Sequence, residues 1–106
     1  MASPTQKALK YYKDLGYTCA IVEKWNPHAM IRQDLFGFID IIAIGEGKTI
    51  GVQCTSKSGV SSRVKKVLEH ENLPAVLQAG WEVEVVGFEK GSTTPVIRKI
   101  GEQYEH

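Results

Sequence analysis

Two apolar segments, "IDIIAIG" at 39–45 and "TIGVQCTS" at 49–56, constrain the fold of this chain more than any other feature. The glycine-rich "GEGK" between them predicts a hairpin turn, so we expect the segments to pair as strands. Both segments are apolar on both faces, whereas a sheet with one wet face alternates apolar and polar residues. Helices are therefore expected to cover this sheet on each side.

The flanking segments supply those helices and further strands. Residues 3–16 predict a helix with Ser3 as its N-cap and Gly16 as its stop, and a strand is expected from Tyr17 to about Lys24. Residues 25–38 predict a loop because they lack a clean period and contain Asn-Pro. A flexible segment at 56–62 should precede a helical region at 62–79 that breaks near Pro74.

The last two segments, 81–90 and 94–100, predict strands. In the first of them, Trp81, Val83 and Val85 alternate with Glu82 and Glu84. The resulting order of elements predicts an α/β fold with a mixed central sheet flanked by helices.

Length and composition indicate one domain that spans residues 1–106, because 106 residues are enough for one hydrophobic core and too few for two. The net charge of +1 argues against affinity for nucleic acid through bulk positive charge, although a local basic patch is compatible with it. The first residues have no apolar core of the signal-peptide type, and eighteen apolar residues nowhere run together. We expect no membrane association and a cytoplasmic location.

A small polar cluster is predicted on the apolar hairpin. Gln53 and Thr55 share one face of their strand because alternate side chains point the same way. With the turn near Glu46, Asp40 should lie opposite Gln53 or one pair away. The three polar side chains are thus expected within a few ångströms of one another.

The segments Gly37-Phe38-Ile39-Asp40 and Gln53-Cys54-Thr55 resemble the two motif elements of the PD-(D/E)XK nuclease superfamily, which has the restriction-endonuclease-like fold. The likeness is greatest to its small phage-type members, the VRR-NUC and Holliday-junction-resolvase-like proteins. It implies an αβββαβ core over roughly residues 5–90 and hydrolysis of DNA phosphodiesters with Mg²⁺ or Mn²⁺. By analogy with such minimal nucleases, it also implies a homodimer.

In that family, an acid begins the second core strand and an acid-x-lysine triplet lies on the third. This chain departs from the pattern, since Gln53 stands at the second acid and Thr55 at the lysine. The resemblance implies that Asp40 is the principal metal ligand and Gln53 a second ligand or an orienting group. Two alternatives follow. In one, a lysine such as Lys57 reaches back over the site and, together with Thr55, contacts water or phosphate. In the other, catalysis is absent.

Accessory metal ligands and a nucleic-acid surface complete the expected site. Asp34 and Glu23 are the acids expected near Asp40. Phosphate contacts are expected from the basic and hydroxyl residues that follow the motif, since a DNA backbone that enters the site would pass them. These residues are Lys57, Ser58, Arg63, Lys65 and Lys66.

Each of these residues also has a structural interpretation. Asp40 is a common turn cap, and Gln53 is equally well explained as a hydrogen-bonded core amide. Thr55 is an ordinary strand residue, Asp34 has Arg32 as a nearby partner, and Glu23 can be solvated at a strand end. The basic residues equally suit a solvated helix face.

Two other functions are compatible with the same sequence. The missing acid and lysine favour a nucleic-acid-binding module that has lost catalysis on the same fold. A structural or assembly subunit is the third alternative, and it predicts no salt-dependent affinity for DNA.

Overall fold

A computed structural model describes residues 2–101, and it begins with helix α1, Pro4–Asp14. The Oγ of Ser3 accepts a hydrogen bond from the backbone N–H of Gln6 at 3.2 Å, and the side chain of Gln6 accepts one from the backbone N–H of Ser3 at 3.3 Å. This reciprocal capping box satisfies two N–H groups at the start of the helix. Gly16, at φ +99°, follows the C-cap. The predicted helix, its N-cap and its stop are confirmed.

The elements that follow α1 are β1 Thr18–Ile21, β2 Lys24–Asn26, β3 Ile31–Gln33, β4 Ile41–Gly45, β5 Lys48–Ser56, the 3-10 helix Lys57–Gly59, α2 Val60–Leu68, α3 Leu73–Gln78, β6 Glu82–Phe88 and β7 Val96–Ile100. Five of these strands form a mixed central sheet in the order β1-β4-β5-β6-β7. Neighbouring strands in it are antiparallel, except that β5 and β6 are parallel and are connected by a crossover through the 3-10 helix, α2 and α3. The protein therefore has the predicted α/β class, with a mixed sheet.

Both faces of the sheet are buried, as the apolar hairpin predicted. Ala8 and Tyr12 of α1 pack on one face, against Ile41 and Val52 among others. α2 and α3 pack on the opposite face, where Val67 joins the second core cluster. Burial on two faces explains why β4 and β5 lack an alternating pattern. Among residues 2–101, no helix is both long and apolar enough to cross a membrane.

The prediction of a loop over 25–38 is wrong in its first half. Strands β2, Lys24–Asn26, and β3, Ile31–Gln33, form a separate two-stranded antiparallel ribbon, and β1 ends at Ile21 rather than near Lys24. The Oδ1 of Asn26 accepts hydrogen bonds from the backbone N–H groups of His28 and Ala29 at 3.0 and 3.2 Å. Asn-Pro therefore lies in the turn of a hairpin, which accounts for its turn-like sequence.

The segment 56–62, predicted to be flexible, is helical for most of its length. Its position depends on Gly87 of β6. A Cβ atom there would lie 2.3 Å from Cγ2 of Val60 and 3.0 Å from the carbonyl oxygen of Ser56. The missing side chain lets the start of α2 pack directly on the sheet, so the chain after β5 is ordered by tertiary contact.

The expected alternation of β6 is also incomplete, because Glu84 is buried. The strand lies between β5 and β7, and its Glu84 faces α1, where its carboxylate accepts a hydrogen bond from the hydroxyl of Tyr12. Burial and the adjacent Glu84 raise the pKa of Tyr12, so the phenol keeps the proton that it donates. A buried carboxylate is tolerated because it has this partner.

Tyr12→Phe is expected to lower the free energy of unfolding by about 1–3 kcal/mol, because it leaves the buried carboxylate of Glu84 without its donor. Denaturation with urea at pH 7 measures the loss. Tyr11→Phe is the matched control, since Tyr11 is the less buried neighbour in the same helix. Equal midpoints for the two variants would show that the buried hydrogen bond does not stabilise the fold.

Candidate active site

Asp40 occupies a rigid position immediately before β4. Its backbone N–H donates to the carbonyl of Val52 at 2.8 Å, and its carbonyl accepts from the N–H of Val22 at 2.8 Å. The side-chain Oδ2 accepts hydrogen bonds from Nε2 of Gln53 at 2.6 Å and from the N–H of Cys54 at 2.8 Å. The predicted proximity of Asp40 and Gln53 is therefore confirmed. It follows from the register, in which Ile41 lies opposite Val52.

Gln53 is only 2% exposed, and both ends of its amide are engaged. Its Nε2 donates to Asp40, and its Oε1 accepts from Nζ of Lys66 at 3.4 Å. Of the two roles predicted for Gln53, this geometry favours the orienting group, since the amide connects a carboxylate to an ammonium. Full satisfaction of the amide also offsets the cost of its burial.

Two further acids lie beside Asp40. Ligand oxygens of Glu23, Asp34 and Asp40 all lie within 4.8 Å of one another. The β2–β3 ribbon brings the first two together: Lys24 lies opposite Gln33, so the next pair toward the sheet is Glu23 and Asp34. Both acids named from the sequence as accessory ligands thus lie near Asp40.

A tight loop connects Asp34 to Asp40. Leu35 and Ile39 exchange backbone hydrogen bonds of 2.9 and 3.0 Å across it. Gly37 has φ +91°, and a Cβ there would lie 2.2 Å from Nε2 of His70, which follows α2. The spacing of the two acids therefore depends on a glycine in a left-handed conformation and on close packing of the loop against His70.

The acid cluster has a clear electrostatic signature. Burial, together with the adjacent Asp34 and Glu23, raises the pKa of Asp40 to about 7, although the hydrogen bond from the N–H of Cys54 opposes the change. Near neutral pH, the site therefore holds a carboxyl group that ionises only at a cost in free energy. A bound cation would remove that cost.

Two cations flank the cluster. Nζ of Lys66 lies 3.8 Å from Oδ2 of Asp34, and Nη1 of Arg32 lies 3.4 Å from Oε1 of Glu23. The alternative in which Asp34 pairs with Arg32 is not the arrangement found. Each accessory acid has its own basic partner, and both partners are more exposed than the acids they contact.

The ammonium group beside Gln53 comes from α2 and not from the end of β5. Lys57, the predicted substitute lysine, directs its Nζ to Oε1 of Glu89 at 2.8 Å. Lys66 was predicted only as a phosphate contact. Its contact with Gln53 has only a weak signal in the sequence. Lys66 directly precedes the buried Val67, which indicates that it lies near the face of α2 that packs on the sheet, and the crossover from β5 to β6 carries that helix over the face of Gln53.

The other predicted residues lie around this centre. Thr55 is buried beneath the 3-10 helix, where a Cβ at Gly59 would lie 2.4 Å from its Oγ1. Oγ of Ser58 is 3.2 Å from Oγ of Ser56. Arg63 precedes Lys66 by three residues and so lies on the same side of α2, whereas Lys65 is an exposed neighbour. Their predicted contacts with nucleic acid stay predictions.

The donor set fits a hard divalent cation. Three carboxylates offer oxygen ligands, which Mg²⁺ and Mn²⁺ prefer. Oxygens on opposite sides of a Mg²⁺ ion are about 4 Å apart and those around Ca²⁺ about 5 Å, so the distances among the ligand oxygens of the three acids are of the right size.

Comparison of the chain with protein-family models, with curated proteins and with solved structures found no match. Any functional interpretation therefore depends on the site itself.

We predict that Asp40→Asn stabilises the protein at pH 8, in the absence of divalent metal, by up to about 4 kcal/mol. The folded state keeps a proton on Asp40 that the unfolded chain releases from about pH 4, so wild-type stability falls as the pH rises toward and through 7. The neutral amide avoids this cost and still accepts the hydrogen bonds from Gln53 and Cys54.

Urea denaturation at pH 4, 6 and 8 in EDTA measures the difference between wild type and variant, which should grow with pH. Asp14→Asn is the control, because Asp14 is an exposed acid paired with Lys10. A difference that stays constant from pH 4 to 8 would contradict the raised pKa.

Proposed function

We propose that this protein is a divalent-metal-dependent nuclease that hydrolyses DNA phosphodiesters. The observation that carries the proposal is the convergence of Glu23, Asp34 and Asp40 beside Gln53, with the ammonium of Lys66 3.4 Å from the amide oxygen of Gln53 and 3.8 Å from Oδ2 of Asp34. Acids that hold a metal beside an amine that contacts water or phosphate are the components that this hydrolysis requires.

The order of elements supports membership of the PD-(D/E)XK superfamily. One helix, three successive antiparallel strands, a helical crossover and a parallel strand correspond to the implied αβββαβ core. The β2–β3 ribbon is then an insertion between the first two core strands, and β7 is an addition at the edge. On this basis we propose a VRR-NUC-like or resolvase-like nuclease.

The roles of the residues follow from their contacts. Asp40, Asp34 and Glu23 would hold Mg²⁺ or Mn²⁺, which supplies a Lewis acid for the phosphate and the attacking water. Gln53 orients Asp40 through its N–H and Lys66 through its carbonyl oxygen. Lys66 contributes the positive charge that Thr55 cannot supply, so the substitution at the motif lysine is compensated from α2.

A second candidate function is nucleic-acid binding without catalysis. The observation in its favour is the mutual neutralisation of the cluster, in which Arg32 pairs with Glu23 and Lys66 with Asp34. Such pairs stabilise acids at close range without a metal. DNA affinity that is indifferent to Mg²⁺, together with an absence of cleavage, would support this function instead.

Metal binding is expected to require Asp40. Addition of Mn²⁺ or Mg²⁺ at pH 8 should raise the melting temperature of the wild-type protein and leave that of Asp40→Asn unchanged, because only the ionised carboxylate binds the ion strongly. Cleavage of single-stranded and branched DNA should fall by more than about 100-fold in the same variant. Asp14→Asn should behave as wild type, and equal stabilisation of all three proteins would contradict the metal site.

Lys66→Met is predicted to lower kcat by roughly 10- to 100-fold while metal affinity is kept or increased, since the variant removes a cation next to Asp34. Lys65→Met is the matched control, because it removes the adjacent and exposed ammonium. Cleavage assays at saturating Mn²⁺ separate the two variants. Similar rates for both would assign Lys66 to the surface charge alone.

A further inference from the structure

The β2–β3 ribbon exposes large apolar side chains beside the acid cluster. Trp25 is 50% exposed, Ile31 is 49% exposed and Met30, at the turn, is 71% exposed. Large apolar groups that remain in water on a projecting ribbon are typical of a surface that is covered by a ligand.

The strand register places Trp25 on the same face as the acids. Trp25 lies opposite Arg32, and Glu23 precedes Trp25 by two residues, so the three side chains share one face of the ribbon. The contact between Nη1 of Arg32 and Oε1 of Glu23, at 3.4 Å, agrees with this arrangement. From the cluster outward, the face therefore presents acids first and then an indole beside a guanidinium.

The charge of the ribbon favours a polyanion. Residues 24–33 contain Lys24 and Arg32 but neither Asp nor Glu, although the whole chain carries a net charge of only +1. An exposed indole beside a guanidinium is a combination that stacks on nucleobases and pairs with phosphates. The same charge disfavours a symmetric contact between two copies of the ribbon, because like charges would face each other.

We propose that the β2–β3 ribbon binds single-stranded DNA next to the acid cluster, with Trp25 stacked on an unpaired base and Arg32 on a neighbouring phosphate. Paired bases hide their faces in the helical stack, so an indole at this position selects unpaired or frayed strands over continuous duplex. The side chain of Arg32 is 66% exposed and its contact with Glu23 is long, so its guanidinium is accessible to phosphate. This substrate class rests on the proposed function of the cluster, but the binding step is measured without cleavage.

The test measures the affinity of the full chain for fluorescently labelled oligo(dT) in EDTA, where hydrolysis is blocked. Trp25→Ala should weaken binding by about 10- to 100-fold, and Trp25→Phe, which keeps an aromatic face, should weaken it by less than about 5-fold. Trp81→Phe is the matched control and leaves Trp25 as the only tryptophan. In that variant, oligo(dT) should quench the indole fluorescence, whereas a blunt duplex should not. Because Trp25 is exposed, its variants are expected to keep the wild-type melting temperature.

Three outcomes overturn the proposal: no measurable binding of oligo(dT), equal affinities for Trp25→Ala and Trp81→Phe, or a change from dimer to monomer in Trp25→Ala with DNA affinity unchanged. Failure of the nuclease proposal has a different signature. In that case, oligo(dT) binds through Trp25 but Mn²⁺ brings about no cleavage that depends on Asp40. Cleavage that depends on Asp40 but is unaffected by Trp25→Ala, in rate and in KM, refutes the role of the ribbon alone.

Discussion

The candidate site depends on one buried carboxylate that is held by the sheet itself. The backbone of Asp40 hydrogen-bonds to Val22 on one side and Val52 on the other, and its side chain accepts from the N–H of Cys54. A carboxylate fixed in this way has little freedom to move toward solvent. Its ionisation is therefore governed by its surroundings, which is why its pKa lies near neutrality. The hydrogen-bond donors around Asp40 lie where a buried carboxylate needs them.

The elements that surround Asp40 contribute charges of both signs. The ribbon that follows β1 contributes Glu23 and Asp34 at its base, and α2 contributes the ammonium of Lys66. Gln53 lies between these groups and hydrogen-bonds to both Asp40 and Lys66. Removal of the amide would leave the buried carboxylate with one donor fewer. Gln53 looks like an ordinary core residue, but it is therefore coupled to the charges of the site.

The close approach of helix and sheet is equally necessary for this arrangement. Gly87 lets the start of α2 contact β6, and Gly37 lets the loop before Asp40 pack on His70. Both contacts lie outside the cluster, yet one positions the start of the helix that carries Lys66 and the other the loop between Asp34 and Asp40. Packing of the backbone thus controls the electrostatics of the site, because Coulomb interactions depend steeply on such distances when water is excluded.

Much of the fold and part of the site could be predicted from the sequence, because these depend on local periodicity and on one hairpin register. The capped first helix, the doubly covered strands and the pairing of Asp40 with Gln53 follow from Ser3, from the apolar runs and from the turn near Glu46. The ribbon at 24–33, the burial of Glu84 and the approach of Lys66 could not be predicted. They arise from contacts between residues far apart in the chain, where tertiary packing outweighs local propensity. The sequence by itself determined which two strands form the hairpin, which polar pair they carry and which acids are candidates beside it. Only the tertiary structure decided how a ribbon brings those acids together and which lysine approaches the pair, since a charge on a separate element is positioned by packing and not by its neighbours in sequence.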